Sequence, residues 1–393
     1  MIYIFIAILL LLLSFRYDLC GRNKGKSLWY NVVLLILILV AGLRWRLGVD
    51  TVGYLNTFYH KTPFLENFSL DDYPIGKDPL FRLMNSVVLS IGGRFYIVQL
   101  LHAAFVNILI FKYIKKHSNY IFVCIFFYFI TRYIVYNTEI MRASMSIVIC
   151  LFANDYILER KWTKGYLLYF IALLFHAQAI LMFFIPFFFF LRLNIKGVLF
   201  LMGAYCAGYY ISSLLGDYLF LLFDDDIIIG KAQKYVESEN YGTGDQYNFV
   251  SIIQNFLPRI IYLMWAIIWL KKNRPQSRLL KLEPLALFFI MFLLIQINLR
   301  IAYRYVDCFY IYAVLFYSEL FVGISQKANY NYGIRLVRSL IIFIPILVFF
   351  GIRFTNKRIN PYSSVIEKSI DNERERLYRE DAIERAAPNL NEY

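Results

Sequence analysis

Residues 28–54 read LWYNVVLLILILVAGLRWRLGVDTVGY. Leu28 to Ala41 is apolar, and the next few residues bring in Arg44, Arg46 and Asp50. A charge at the centre of a membrane helix costs roughly 2.5–3.5 kcal/mol even on the lenient insertion scale. At a helix end the cost falls, and a charge cluster there can face a ligand. The stretch therefore reads as a spanning helix that meets water. It raises two questions: which side of the membrane, and which ligand.

The rest of the chain fits a membrane setting. Of 393 residues, 60% are hydrophobic and 17% charged, where soluble proteins carry about 25% charged residues. The net charge of +14 is then an orientation signal and not a nucleic-acid signal. Cys20, Cys124, Cys150, Cys206 and Cys308 show no close pairing, so they read as small membrane residues. Met1 to Phe15 is apolar but lacks a basic leader and a small-residue cleavage site. It reads as a retained first helix.

Apolar runs occur at 1–15, 28–45, 95–112, 120–137, 140–158, 165–191, 197–215, 249–270, 283–299, 303–323 and 336–352. Basic residues follow the first, third and fifth runs and the run ending at Leu270: Arg22, Lys24 and Lys26; Lys112, Lys115 and Lys116; Arg160, Lys161 and Lys164; Lys271, Lys272 and Arg274. The positive-inside tendency makes these loops cytoplasmic. The acidic loop 216–248 is then external, and an odd number of crossings is needed between Lys164 and Asp217. Only two runs are visible there. The 165–191 run would measure about 40 Å as a single helix. Read as a hairpin of two short helices turning near His176, it restores the parity. Read as one tilted helix, it forces another span to be misassigned. Non-helical backbone at that depth is tolerated only inside protein or along a cavity.

The expected fold is an all-α polytopic bundle of about 11–12 membrane segments, with both termini outside. It forms one transmembrane domain over 1–352 with external loops at 46–94 and 216–248. A charged external tail covers 353–393.

This topology gathers polar residues on one face. Arg44, Arg46 and Asp50 close the second span there, Arg132 ends the fourth, and Glu139 and Arg142 open the fifth. His176 is at the hairpin apex, and Arg300 and Arg304 flank a later turn. Glu139 and Arg142 stand at i, i+3, which reads either as a local pair capping the helix or as an arginine aimed into a cavity. Arg304 and Asp307 have the same spacing and the same two readings. Arginine grips phosphate bidentately, although arginines also snorkel to an interface without any ligand. His176 lies in an apolar run, as a core histidine or as a general base. Tyr54, Phe58, Tyr59, Phe64 and Phe81 in the outer loop suit sugar faces or an interfacial belt. Asp224-Asp225-Asp226 lacks ligand spacing and reads as a solvated loop. No pattern calls for a metal or a cofactor.

Several separated motifs together resemble the EpsG family of Wzy-type bacterial polysaccharide polymerases. They are Gly42-Leu43-Arg44 with Gly48, Asp50 and Tyr54; Asp78-Pro79-Leu80-Phe81 with Asn85; Glu139 with Arg142 and Ala143; Leu174-Phe175-His176 with Ala179; Arg304 before a Tyr-rich helix; and Asn360-Pro361-Tyr362. Asp78 stands where the family usually has Glu, Ala143 where Gln is common, and Gln178 where a small residue is usual. The resemblance spans about 1–365.

It implies a multi-pass protein of the bacterial inner membrane whose active site faces the exterior. The implied reaction joins undecaprenyl-diphosphate-linked glycans into exopolysaccharide, capsule or O-antigen. In that frame Arg44, Arg46, Arg142 and Arg304 bind diphosphate. His176 is the base, and Glu139 is the backup base or the residue that orients Arg142. Asp50, Tyr54, Asp78 and Asn85 bind substrate or support the site. A chain-length regulator and a flippase are the implied partners. A lipid-linked oligosaccharide flippase and a glycan ligase are the rival readings. A flippase spreads its cations along a cavity open to both faces, whereas here they gather at one end.

Overall fold

The computed structural model describes residues 2–48, 50–75, 77–222, 250, 252–326 and 362–368. Among these residues there is no strand, and every regular element is helical. Helices long and apolar enough to cross a membrane cover Ile2–Leu19, Phe95–His117, Met141–Leu158, Ile252–Asn273, Arg278–Asn298 and Arg300–Ser325. Shorter apolar helices cover Lys26–Gly42, Ile121–Tyr133, Trp162–Phe175 and Ile195–Ile211. The expected all-α membrane bundle is therefore present. The run at 336–352, most of the loop 216–248 and most of the tail 353–393 lie outside the described residues.

The sequence dictates the main columns directly. We label Ile2–Leu13 α1, Lys26–Gly42 α2, Thr51–His60 α3, Pro79–Ser90 α4 and Phe95–His117 α5. Next come Ile121–Tyr128 as α6, Met141–Leu158 as α7, Trp162–Phe175 as α8 and Ile195–Leu222 as α9. Leu257–Asn273, Glu283–Asn298 and Tyr303–Gln326 are α10, α11 and α12. α5 has no Gly or Pro and ends on Lys115, Lys116 and His117, where cations complement the helix dipole. Its 23 residues span about 35 Å, enough for a ~30 Å hydrocarbon core. The span Arg300–Ser325 is 94% buried and forms the central column, while Ile252–Asn273 is 22% buried and lies at the periphery. α2 meets α5 at Gly42, where a Cβ would come within 2.8 Å of the Leu100 Cα. Only glycine lets the two backbones approach so closely.

Ion pairs tie the basic loops together at one end of the bundle. Lys26 pairs with Asp18 at 3.1 Å and donates to the Asn119 carbonyl. Lys116 pairs with Asp155 at 2.8 Å, and Lys271 with Glu283 at 2.6 Å. Arg274 bridges Glu319 and the Tyr120 hydroxyl, both at 2.9 Å. The Leu193 amide also reaches Glu283. The segments that follow α1, α5, α10 and the 165–191 run thus share this end.

The chain reverses at His176. α8 ends there on an extended residue, with φ −160° and ψ 133°. The returning arm runs back along α8. The Tyr166 hydroxyl reaches the Phe183 carbonyl at 3.5 Å, and the Tyr166 and Tyr169 rings lie 5.8 and 5.6 Å from that of Phe183. A single helix would hold residues 166 and 183 about 25 Å apart. The run is therefore the hairpin that parity demanded. Its second arm, however, is a pair of 3-10 segments, Ala177–Phe183 and Ile185–Phe188, and not a short α-helix. Pro186 has no N–H to donate, and the Gln178 amide is taken by the His176 ring. Tyr169 fastens the first arm through the Asn154 side chain at 2.5 Å.

Candidate functional site

The end opposite the basic loops is built from α3, α4, the start of α7 and the hairpin apex. Asp50 immediately precedes α3, and Tyr54 follows one turn later. Asp78 precedes α4 in the left-handed conformation, φ 57° and ψ 53°, with Pro79 at the first helical position. Asp tolerates that conformation better than most residues. Its position turns the carboxylate toward α7, where it forms an ion pair with Arg142.

Asp50, Gly53, Tyr54 and Thr57 from α3, Phe81 and Arg82 from α4, and Arg142 from α7 line an open cleft of about 390 Å³. The Arg142 guanidinium sits 5.6 Å from the Tyr54 ring centre, and Tyr54 packs on Phe81 at 5.9 Å. The Tyr54 hydroxyl donates to the Glu139 carbonyl at 3.4 Å, which joins α3 to the entry of α7. Arg82 lies over the Tyr73 ring at 5.8 Å. The wall therefore offers two guanidinium groups, one carboxylate and two aromatic faces. Burial pushes the Asp50 carboxyl up, and the neighbouring Arg142 and Arg304 pull it back down. Burial and then the nearby Arg142 push Arg82 down. Two cations held this close in a partly dry cleft favour an anionic guest.

His176 is half-buried at the hairpin apex, and Asp78, Arg142 and Arg304 are the charges that act on it. Its Nδ1 accepts the Gln178 amide at 3.2 Å. The hydrogen-bond network thus places the proton of the neutral ring on Nε2. Asn85 is 1% exposed on α4, one turn behind Phe81. Its Oδ1 has no partner among the described residues.

The structure thus brings Asp50, Tyr54, Asp78 and Arg142 together, with His176 and Arg304 in electrostatic reach. It does not bring Arg44 or Arg46 into the cleft. Arg44 is 1% exposed and donates to the carbonyls of Ala41 at 2.5 Å and Leu47 at 3.3 Å, capping its own helix. Arg46 lies over the Trp45 ring at 5.1 Å. Both line a separate crevice of about 30 Å³ with Trp45, Tyr96 and Gln99.

Glu139 and Arg142 do not share one helix face, because Ile140 between them leaves the helix at φ −113° and ψ 49°. The ion-pair partner of Arg142 is Asp78, and Glu139 acts on Arg132. Asp307 pairs with Arg132 at 2.9 Å, and the Arg132 guanidinium lies 3.8 Å from the Tyr310 ring centre. Arg82 was absent from the sequence-based site. Its signal was the turn Asp78-Pro79-Leu80-Phe81-Arg82, which sets a guanidinium one helical turn from the Asp78 that precedes the helix.

The segment after the last expected span also reaches this end. The Trp45 amide donates to the Ser363 carbonyl at 2.9 Å, and the Val365 amide to Leu43 at 2.8 Å. The Tyr362 hydroxyl donates to Val40 at 3.2 Å, and its ring packs on Tyr3 at 6.0 Å. The motifs around Arg44 and Tyr362 are thus two halves of one clamp.

No curated protein and no solved structure matches the chain at a significant level. A family comparison does match, over residues 27–364, and it covers both halves of that clamp, the cleft and the hairpin. The chain belongs to the EpsG family and is a multi-pass membrane protein implicated in polysaccharide biosynthesis.

Proposed function

We propose that the chain is a glycan polymerase. It joins undecaprenyl-diphosphate-linked oligosaccharide repeat units into a polysaccharide at the outer face of the bacterial inner membrane. The carrying observation is the cleft of Asp50, Tyr54, Phe81, Arg82 and Arg142 at the end away from the basic loops. Such one-ended clustering disfavours a flippase, which needs its cations along the whole path.

Arg142, held by Asp78, and Arg82 bind the diphosphate of the donor, and Arg304 adds to the positive field on Asp50 and His176. Tyr54 and Phe81 supply apolar faces for the sugar. The acceptor hydroxyl attacks the anomeric carbon as the carbon–oxygen bond to diphosphate breaks. The released polyprenyl diphosphate keeps the bonding electrons, and the arginines stabilise its growing charge. A direct displacement of this kind inverts the anomeric centre.

The hydroxyl proton needs an acceptor. His176 fills that role once Nδ1 releases the Gln178 amide. Held as it is, the ring presents Nε2–H and acts as a donor to a phosphate oxygen. That observation favours a second assignment, with Asp50 as base, since its carboxylate lines the cleft itself. Glu139, which does not line the cleft, is the weakest of the three. The test is a reconstituted polymerisation assay with His176→Ala, Asp50→Asn, Glu139→Gln and Arg142→Ala. Parent chain lengths from Arg142→Ala would overturn the site. Parent chain lengths from His176→Ala with loss in Asp50→Asn would move the base to Asp50.

A further inference from the structure

A second groove lies on the flank of the bundle, remote from the cleft. α7 forms its floor through Ile149, Phe152 and Tyr156. Leu109 of α5 and Leu167 of α8 form its walls, and Lys164 stands at its basic end. Its volume is about 400 Å³, within the range of small-molecule sites. Any lipid tail can lie against such a surface, since a groove in hydrocarbon gains little from apolar contact alone. The selective element is charge. Lys112 is exposed one helical turn beyond Leu109, and Lys164 is exposed at the start of α8.

These two lysines differ from their neighbours. Lys116 is paired with Asp155 and Glu159. Lys161 is paired with Glu159 at 2.6 Å and sits 5.8 Å from the Tyr156 ring. Neither Lys112 nor Lys164 makes an ion pair or a hydrogen bond among the described residues. The mouth of an apolar groove is thus flanked by two uncompensated ammonium groups, with a tyrosine at the same level. Interfacial tyrosines sit at headgroup depth, and lysines there attract anionic headgroups.

We infer that this groove holds an anionic phospholipid from the leaflet at the basic end. One acyl chain lies on Ile149 and Phe152, and the phosphate sits between Lys112 and Lys164. A polyprenyl diphosphate fits poorly here, because the groove's charged mouth is at the end opposite the diphosphate cleft.

The experiment uses the full chain, purified in a neutral detergent. Retention of phosphatidylglycerol is measured against phosphatidylcholine of the same chains by native mass spectrometry. The parent should retain phosphatidylglycerol preferentially. K112Q/K164Q should lower that preference about 25-fold, at roughly fivefold for each lysine near the headgroups, while K24Q leaves it unchanged. L167W fills the groove without touching charge and should also displace the lipid, and the melting midpoint of each variant checks folding. Equal retention of both lipids by the parent would overturn the inference. So would an unchanged preference in K112Q/K164Q, or displacement of phosphatidylglycerol by equimolar undecaprenyl phosphate.

Discussion

Replacing Gly48 by alanine should damage both the fold and the reaction. Gly48 has φ +108°, beyond the left-handed well at about +50 to +70° that other residues occasionally occupy. Holding an alanine there costs about 1–3 kcal/mol. The new Cβ would also lie 2.6 Å from the Thr138 Cβ and 3.0 Å from the Oγ1 atoms of Thr138 and Thr51. Neither hydroxyl yields freely. Thr138 Oγ1 donates to Ile134 at 2.8 Å, and Thr51 Oγ1 to Leu47 at 2.6 Å. Overpacking of this kind costs a further ~1–3 kcal/mol. The expected destabilisation is therefore about 2–6 kcal/mol. The loop at Gly48 should move off Thr138, and a displacement near 1 Å costs about a hundredfold in rate. The readouts are thermal unfolding of detergent-solubilised protein and polymerisation with lipid-linked repeat units. Thr138→Gly in the Gly48→Ala background should recover the packing share but not the backbone share, a measurable coupling. A Gly48→Ala protein with parent melting and parent chain lengths would refute the packing of this loop on Thr138.

Arg132→Met alone should cost about 3–5 kcal/mol, because it removes the ion-pair partner that the buried Asp307 carboxylate has in Arg132. Arg132→Met with Asp307→Leu should recover most of that in a thermal melt, which marks Arg132 as structural and not as a ligand for substrate. Asp78→Asn removes the counter-charge of Arg142 while keeping its shape. It should lower the turnover number about a hundredfold and change KM less, since the guanidinium still meets phosphate but from a looser position; initial rates against repeat-unit concentration check this. For Asp50, burial holds the folded carboxyl above its ordinary value of 3.8. Its stabilising contribution is thus present below the unfolded pKa and lost as pH rises through the folded one. The parent should lose a small amount of stability on going from about pH 4 toward neutrality that Asp50→Asn does not lose, read as the difference between their melting midpoints.

What the sequence made legible was everything that depends on hydropathy and on counting. The spans follow from apolar runs. The hairpin follows from the requirement that Arg192 and Lys164 lie on one side, with His176 at the turn. What stayed hidden were partners distant in the chain. Glu139–Arg142 and Arg304–Asp307 looked like pairs because i, i+3 spacing joins residues on a continuous helix. Ile140 breaks the first helix, and the partner of Arg142 is 64 residues away. Asp307 faces inward to a different arginine. Arg44 lies outside the cleft for another reason. A charge after an apolar run is ambiguous between a ligand group and a cap on the helix it follows, and only the direction of the side chain decides.

The inward turn of Arg44 gives the opening stretch a different role from ligand binding. Its guanidinium closes the end of α2, which frees the Leu43 carbonyl and the Trp45 amide to pair with residues 363–365. The stretch next bends at Gly48 against Thr138 and starts α3 just after Asp50. Each of these contacts fixes one edge of the path from α2 to the cleft. The stretch behaves as a hinge plate between the scaffold and the site. Arginine 44 holds the scaffold side, and aspartate 50 with Tyr54 faces the guest on the other. A neutral residue at 44 would take from the Ala41 carbonyl, at the end of a buried helix, the guanidinium that donates to it. That is reason enough for a charge at a membrane helix end, with no ligand invoked.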